Sequence, residues 1–285
     1  LIKDYAKTRN LIKANISKLD WYQNVGMPEK RKPFENVTHD VCVITIKETK
    51  STTLNCSTLS FDSIKKDFVF SKWNAQKKDI ILEEFNDAFN LKINKEHLEI
   101  YKKISKCSKI NEFLQCHEGI HTGNSRDILF KEHKENESCK PLYYGGGAGD
   151  TISNYVTRRK GWFVDYRKEI IDKNKGFYAS LRKEEIFKLP KIYITRTGNP
   201  FKAFFDNDYY ASNNFFSLQF KDYKENKVDS LLLILPFIVS TVARYFIRTF
   251  AAPRLGNTFV ETKILHLLKF RVPTLGEKSK KELFE

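Results

Sequence analysis

Apolar and polar positions change their period several times along the chain. Leu1, Tyr5, Leu11 and Ile12 recur at helical spacing among basic residues and predict a helix over 1–18. In "FENVTHDVCVITIKE", Val41, Val43 and Thr45 and the intervening Cys42, Ile44 and Ile46 make a nearly continuous β-favouring run. Such a run predicts a strand buried on both faces, as in an α/β sheet. A doubly wound sheet needs several strands of this kind, so this end reads as the tail of a domain whose body is missing. From Ser51 to Asn74 no period holds, and "FDSIKKDFVFSKW" fits a strand or a linker.

Helical spacing returns over 76–89, where Ile80, Ile81, Phe85 and Phe89 form one stripe, and over 94–114, with Leu98, Tyr101 and Ile104 on another. Beyond Gly119 the pattern becomes strand-like. "PLYY", "GWFVDY", "KIYITRTG", "KAFFD" and "NNFFSLQF" follow one another, separated by Gly, Asn and Asp turns. A helix is then predicted from Asp229 to about Thr249, before a mixed segment ending in "ILHLLKFRVPTLG". Its apolar run "LLLILPFIVSTVA" is too short for a bilayer span, contains Pro236 and is followed by Arg244 and Arg248. It reads as a buried helix, and no membrane partner is expected.

Composition places the chain among folded proteins: 285 residues, 41% hydrophobic and 14% aromatic, suit one large domain or two ordinary ones. The first residue is Leu1 and the single methionine is Met27, as expected of a fragment of a longer protein. The formal net charge of +15 favours nucleic acid as a partner, against the alternative of a generally lysine-rich composition. Distribution argues for the first. Residues 156–202 hold thirteen Lys or Arg against five Asp or Glu, interleaved with Trp162, Phe163, Tyr166, Phe177 and Tyr178. Cations on a stiff sheet suit a grip on a phosphate backbone, while the strand aromatics read mostly as packing.

Cys42, Cys56, Cys107, Cys116 and Cys139 are odd in number and lack CxxC spacing, so they read as reduced thiols of a cytoplasmic protein. Cys107, Cys116, His117, His121, His133 and Cys139 cluster in sequence, but they straddle a helix end and a strand, and no zinc site is expected. "YYGGGAGD", residues 143–150, has the look of a phosphate loop without its parts. A β-like stretch follows it in place of a helix, and no Lys-Ser or Lys-Thr pair closes it, so it reads as a flexible hairpin or surface loop. Glu261 and Lys263, two apart, fit a metal-dependent nuclease. The same spacing recurs at Glu48 and Lys50, Glu132 and Lys134, and Glu225 and Lys227, so it is cheap in this composition.

In "HEGIHTGNSR" a Lys-rich helical segment gives way to a β-like one, and Gly119 and Gly123 allow a turn there. "KIYITRTGNPFKAFFDNDYYASNNFFSLQF" reads as a three-stranded meander in which Arg196 leaves the sheet beside Gly198. A guanidinium there suits phosphate or guanine; the alternative is a salt bridge to Asp206 or Asp208 across the hairpin.

These pieces in this order resemble one family. "KINEFLQCHEGIHTGNSRDILF", "CKPLYYG", "KIYITRTG", "AFFDNDYYASNNFFSLQF", "LLLILPFIVSTVARYFIR" and "ILHLLKFRVP" look like the TaqI-like C-terminal specificity domain, the target-recognition part of adenine-specific DNA methyltransferases in restriction-modification systems. The family's glycine-isoleucine-x-threonine-glycine signature is matched by Gly119, Ile120, Thr122 and Gly123, and "FENVTHDVCVITIKE", residues 34–48, is similar to the last strands of the methyltransferase domain. The departure is "YYGGGAGD", richer in glycine than the family's Arg-bearing segment. The AdoMet-binding glycine motif and the Asn-Pro-Pro-Tyr catalytic motif have no match.

The resemblance implies an α/β (α+β) chain: a Rossmann-like methyltransferase remnant over 1–50, a helical linker over 51–115 and a mixed β-rich recognition domain over 116–285. It implies sequence-specific binding of double-stranded DNA, without catalysis by these residues. S-adenosyl-L-methionine and the catalytic methyltransferase domain are expected elsewhere in the same polypeptide. From charge and turn placement, Arg158, Arg159, Lys160, Arg196, Thr197, Asn199 and Lys202 are the candidate DNA contacts, with Arg254 and Asn257 in "APRLGNT" as second choices. Gly119, Thr122, Gly123 and Gly198 are assigned to structure. The competing classes are the Glu261/Lys263 nuclease and a protein-interaction module.

Overall fold

The computed structural model describes residues 6–24, 27–37, 40–85, 88–91, 93–198, 201–222, 224, 227–251 and 262–273. The chain divides into two units, 1–103 with 248–258, and 104–247 with 259–285.

In the first unit, strands β1 (Ile16–Tyr22), β2 (Val41–Ile46), β3 (Thr53–Asp62) and β4 (Asp67–Gln76) form a sheet of order β2-β1-β3-β4. Of the helix expected over 1–18, the described residues show Ala6–Ile12, and the chain then enters β1. The "VCVITI" run is a strand, but among the described strands it is an edge strand with one neighbour, and Val43 and Ile46 are 46% and 53% exposed. A β-branched run therefore signals extended backbone without setting its burial. Among the described strands of this sheet only β1 and β3 pair in parallel, so they do not themselves display a doubly wound sheet.

Residues 53–76, expected within a linker, form a hairpin whose ladder runs from Thr53 opposite Gln76 to Asp62 opposite Asp67. Its turn has neither Gly nor Pro. The Asp62 carboxylate accepts hydrogen bonds from the Ile64 and Lys65 amides at 2.9 and 3.1 Å, and Lys66 takes a φ of 54°. Ile16, Leu19, Leu54, Cys56, Ile80 and Leu91 make this unit's core. The stripe read over 76–89 is thus core, but its helix covers only Lys77–Ile80, and strands Ile81–Leu82 and Ala88–Phe89 pair beyond it. Two adjacent isoleucines followed by Leu82 favour extended backbone once they have a partner.

The 94–114 pattern predicts a helix to Leu114; the helices there are Lys95–Ile104 and Ile110–Phe113, and in the second unit Leu114–Glu118 is a strand. Sheet formation overrides helical spacing here, because Leu114–Glu118 completes the meander. That sheet has the order Ala203–Asp206, Lys191–Thr195, Phe215–Phe220, Leu114–Glu118, antiparallel throughout. A second sheet orders Tyr210–Ala211, Cys139–Tyr143, Phe163–Asp165 and Phe130–Lys131. Tyr143, Tyr193, Phe204 and Phe215 pack at ring-centroid distances of 5.0 to 6.2 Å. Each buried ring contributes about 2 kcal/mol of transfer free energy.

Gly119 is required by close approach: a Cβ there would stand 2.1 Å from the Ser212 carbonyl oxygen. Gly123 has a φ of +54°, and its Cβ would meet the Tyr178 carbonyl oxygen at 2.3 Å. Thr122 accepts the Ser125 amide through its carbonyl at 2.8 Å. The expected C-terminal helix bends by 55° between Val228–Val239 and the segment from Thr241 to Ala251. The break is at Ser240, whose hydroxyl accepts from the Ala243 amide, rather than at Pro236. Among the described residues no single helix is long and apolar enough to cross a membrane.

Candidate nucleic-acid interface

The strand Cys139–Tyr143 ends in core residues, Leu142 and Tyr143, and the chain then turns through glycine. Gly145 and Gly149 have φ of 131° and 93°, angles that a side chain opposes, and Gly146–Ala148 between them make one 3-10 turn. Asp150 is 4% exposed and holds this loop. Its Oδ2 accepts from the amides of Tyr144 and Gly145 at 2.7 and 3.0 Å, and its Oδ1 from the amide of Lys160 at 2.8 Å. The Trp162 indole donates to the Ala148 carbonyl at 3.0 Å, while Asn214 Nδ2 and Ser212 Oγ donate to the Tyr144 carbonyl at 2.8 and 2.7 Å. The stretch expected to be a flexible surface loop is therefore tethered along its length by partners distant in sequence.

This loop lines a cleft of about 910 Å³ together with Arg126, Glu132, Lys160, Trp162, Thr195, Thr197 and Asn214. The Arg126 guanidinium lies 4.9 Å from the centroid of the Tyr144 ring, a cation–π contact that fixes it while leaving its N–H groups able to donate. Tyr144 in turn meets Trp162 edge to face at 4.9 Å. The short ribbon Thr151–Ile152 with Thr157–Arg158 continues from the loop. It is anchored by the 2.9 Å hydrogen bond between the Tyr143 and Thr157 hydroxyls and by Lys202 Nζ donating to the Ile152 carbonyl at 2.7 Å.

The structure thus brings Arg158, Lys160, Thr197 and Lys202, all exposed, to one loop, ribbon and cleft. Arg159 is different. Its guanidinium lies 5.1 and 5.0 Å from the centroids of the Phe163 and Tyr209 rings and donates to the Trp162 carbonyl, so packing holds it in place. Arg196 is half-buried at the end of its strand; its amide donates to the Asn214 carbonyl and its carbonyl accepts from the Thr262 amide. Asp206 sits opposite Lys191, at the other end of the hairpin from Arg196, and its described ion pair is with Lys191 at 3.5 Å. Gly198 has a φ of 152°. Asn199, Arg254, Asn257 and Glu261 lie outside the described residues.

Burial sets the chemistry of the neighbouring ionisable groups. Lys191 is fully buried and its ammonium is pushed down to about 8, with Asp206 opposing the shift. Burial likewise raises Asp206 and the Tyr143 phenol, the latter to about 12. The Cys116 thiol is pushed up by burial and is a poor nucleophile. Among the described residues, no three or more of His, Cys, Asp and Glu converge as a metal site. Arg126, Glu132 and Asn214 escaped the sequence reading. Arg126 closes the "HEGIHTGNSR" stretch but stands outside the basic concentration over 156–202, and its proximity to Tyr144 is a tertiary fact.

No protein-family model and no curated protein matches the chain. Among solved structures it is similar to the type IIG restriction endonuclease BpuSI, at 12% sequence identity and a TM-score of 0.48, over 99% of this chain and 40% of that one. The chain therefore spans about 40% of the length of that enzyme.

Proposed function

We propose that the second unit binds double-stranded DNA through the glycine-lined cleft and its cationic surroundings, as the specificity domain of an adenine-specific DNA methyltransferase in a restriction-modification system. The observation that carries this reading is the convergence of Arg126, Arg158, Lys160 and Lys202 on one tethered loop, ribbon and cleft. Cations on a rigid scaffold neutralise phosphates without a large ordering cost, and Thr195, Thr197 and Asn214 supply hydrogen-bonding groups beside them. The motif order around Gly119, Ile120, Thr122 and Gly123 supports the specificity-domain assignment.

On this reading the residues here bind and orient DNA, and methyl transfer belongs to a catalytic domain of the same polypeptide in the cytoplasm. No residue set here matches the family's S-adenosyl-L-methionine motif, so that cofactor is assigned to the catalytic domain. The test is duplex binding by the chain against its Arg158→Ala/Lys160→Ala/Lys202→Ala variant as salt is varied. Each lost phosphate contact lowers the slope of log affinity on log salt by about 0.9, so the triple variant flattens it by roughly 2 to 3.

A further inference from the structure

The glycines of the loop fall into two classes. Gly145 and Gly149 are demanded by their positive φ. Gly146 and Gly147 have no such angle, are exposed, and a Cβ built on either meets nothing within 4 Å. Nothing in the fold around them requires glycine. Flexibility does not explain them either, because Asp150 and Trp162 tether the loop they sit in. What they leave is bare backbone on a cleft that Arg126 and Lys160 also line.

We infer that Gly146 and Gly147 are where a DNA strand approaches this chain most closely, its sugar-phosphate backbone lying in the cleft against main chain bare of side chains. The inference rests on the DNA-binding reading above. A bare main chain allows approach that any side chain would hold off, and the two cations match the charge of a phosphodiester. Glu132 lines the same cleft and opposes that charge. Its carboxylate lowers affinity for any anionic strand, and its removal has a sign: tighter binding for a phosphodiester, weaker binding for a cationic ligand.

The experiment compares the chain, Gly146→Val/Gly147→Val, Gly147→Ala and Glu132→Gln in fluorescence-anisotropy titrations of a mixed-sequence duplex of roughly thirty base pairs at low salt, where backbone contacts dominate. Melting temperatures are measured in parallel. The double valine variant is expected to keep its melting temperature and lose about tenfold or more in affinity, the equivalent of one good contact. Gly147→Ala is expected to lose less, and Glu132→Gln to bind several-fold tighter. Wild-type affinity in the double variant, while the Arg158/Lys160/Lys202 variant binds weakly, overturns the close approach and leaves the DNA-binding reading standing. A large fall in the double variant's melting temperature overturns the premise that the fold is indifferent at these positions. Absence of duplex binding by the unaltered chain overturns both.

Discussion

The carboxylate of Asp150 accepts a 2.8 Å hydrogen bond from the backbone amide of Lys160, ten residues along the chain. With its other oxygen it accepts from Tyr144 and Gly145, so one buried side chain closes the glycine loop and sets the start of the segment that carries Trp162. Removing it strands three amides. Asp150→Ala is expected to destabilise the second unit by about 3 kcal/mol, since hydrogen bonds to charged groups are the stronger kind and the donors are left unsatisfied. Urea denaturation measures this, and unchanged stability would contradict the role.

Glycine should matter unequally. Gly119→Ala forces a Cβ to within 2.1 Å of a backbone oxygen, and is expected to cost about 2 kcal/mol or more. Gly146→Ala meets open space and is expected to change stability by less than about 0.5 kcal/mol. Equal effects in thermal denaturation would contradict the assignment of roles.

Adjacent arginines should separate in the same way. Arg159→Ala removes a guanidinium held near two rings and a carbonyl, and is expected to cost about 1 to 2 kcal/mol with little change in the salt slope of DNA binding. Arg158 is exposed on the ribbon; its alanine variant is expected to keep stability and lower the slope by about 0.9.

The buried pair Lys191 and Asp206 makes stability depend on pH. Lys191 has a folded value of about 8 against 10.5 unfolded, so between these values the unfolded chain binds more protons. Its destabilising effect is complete below pH about 8 and is relieved as pH rises from there toward 10.5. Asp206 is raised by burial and acts in the acidic range above 3.8. The difference in stability between the chain and Lys191→Met/Asp206→Asn is therefore expected to shift in favour of the unaltered chain from pH 8 to pH 9.5, followed by urea denaturation at each pH. A flat difference would contradict it.

The meander was legible because its strands are short β-favouring runs rich in Ile, Tyr and Phe and their turns carry Gly, Asn and Asp, and the buried apolar helix because of its composition. The β3–β4 hairpin was not. Its strands mix Ser, Thr, Asn and Lys with apolar residues, and its turn is closed by the Asp62 side chain. The helical stripe over 76–89 found core residues but the right backbone only to Ile80, since Ile81 and Phe89 serve the core from paired strands. The basic concentration over 156–202 put forward Arg158, Lys160 and Lys202 as proposed DNA contacts, which the structure sets on the glycine loop's cleft and the ribbon. It could not separate Arg159 from them, nor find Arg126, because those roles depend on Tyr144, Phe163 and Tyr209 arriving from other parts of the chain.

On the proposed function, this unit grips DNA with the cations around the cleft. The most direct measurement is duplex affinity as a function of salt, for the chain and for Arg158→Ala/Lys160→Ala/Lys202→Ala. A steep slope that the triple variant flattens by roughly 2 to 3 is the predicted result. Binding with the same slope in both proteins, or no binding at low salt, would contradict it.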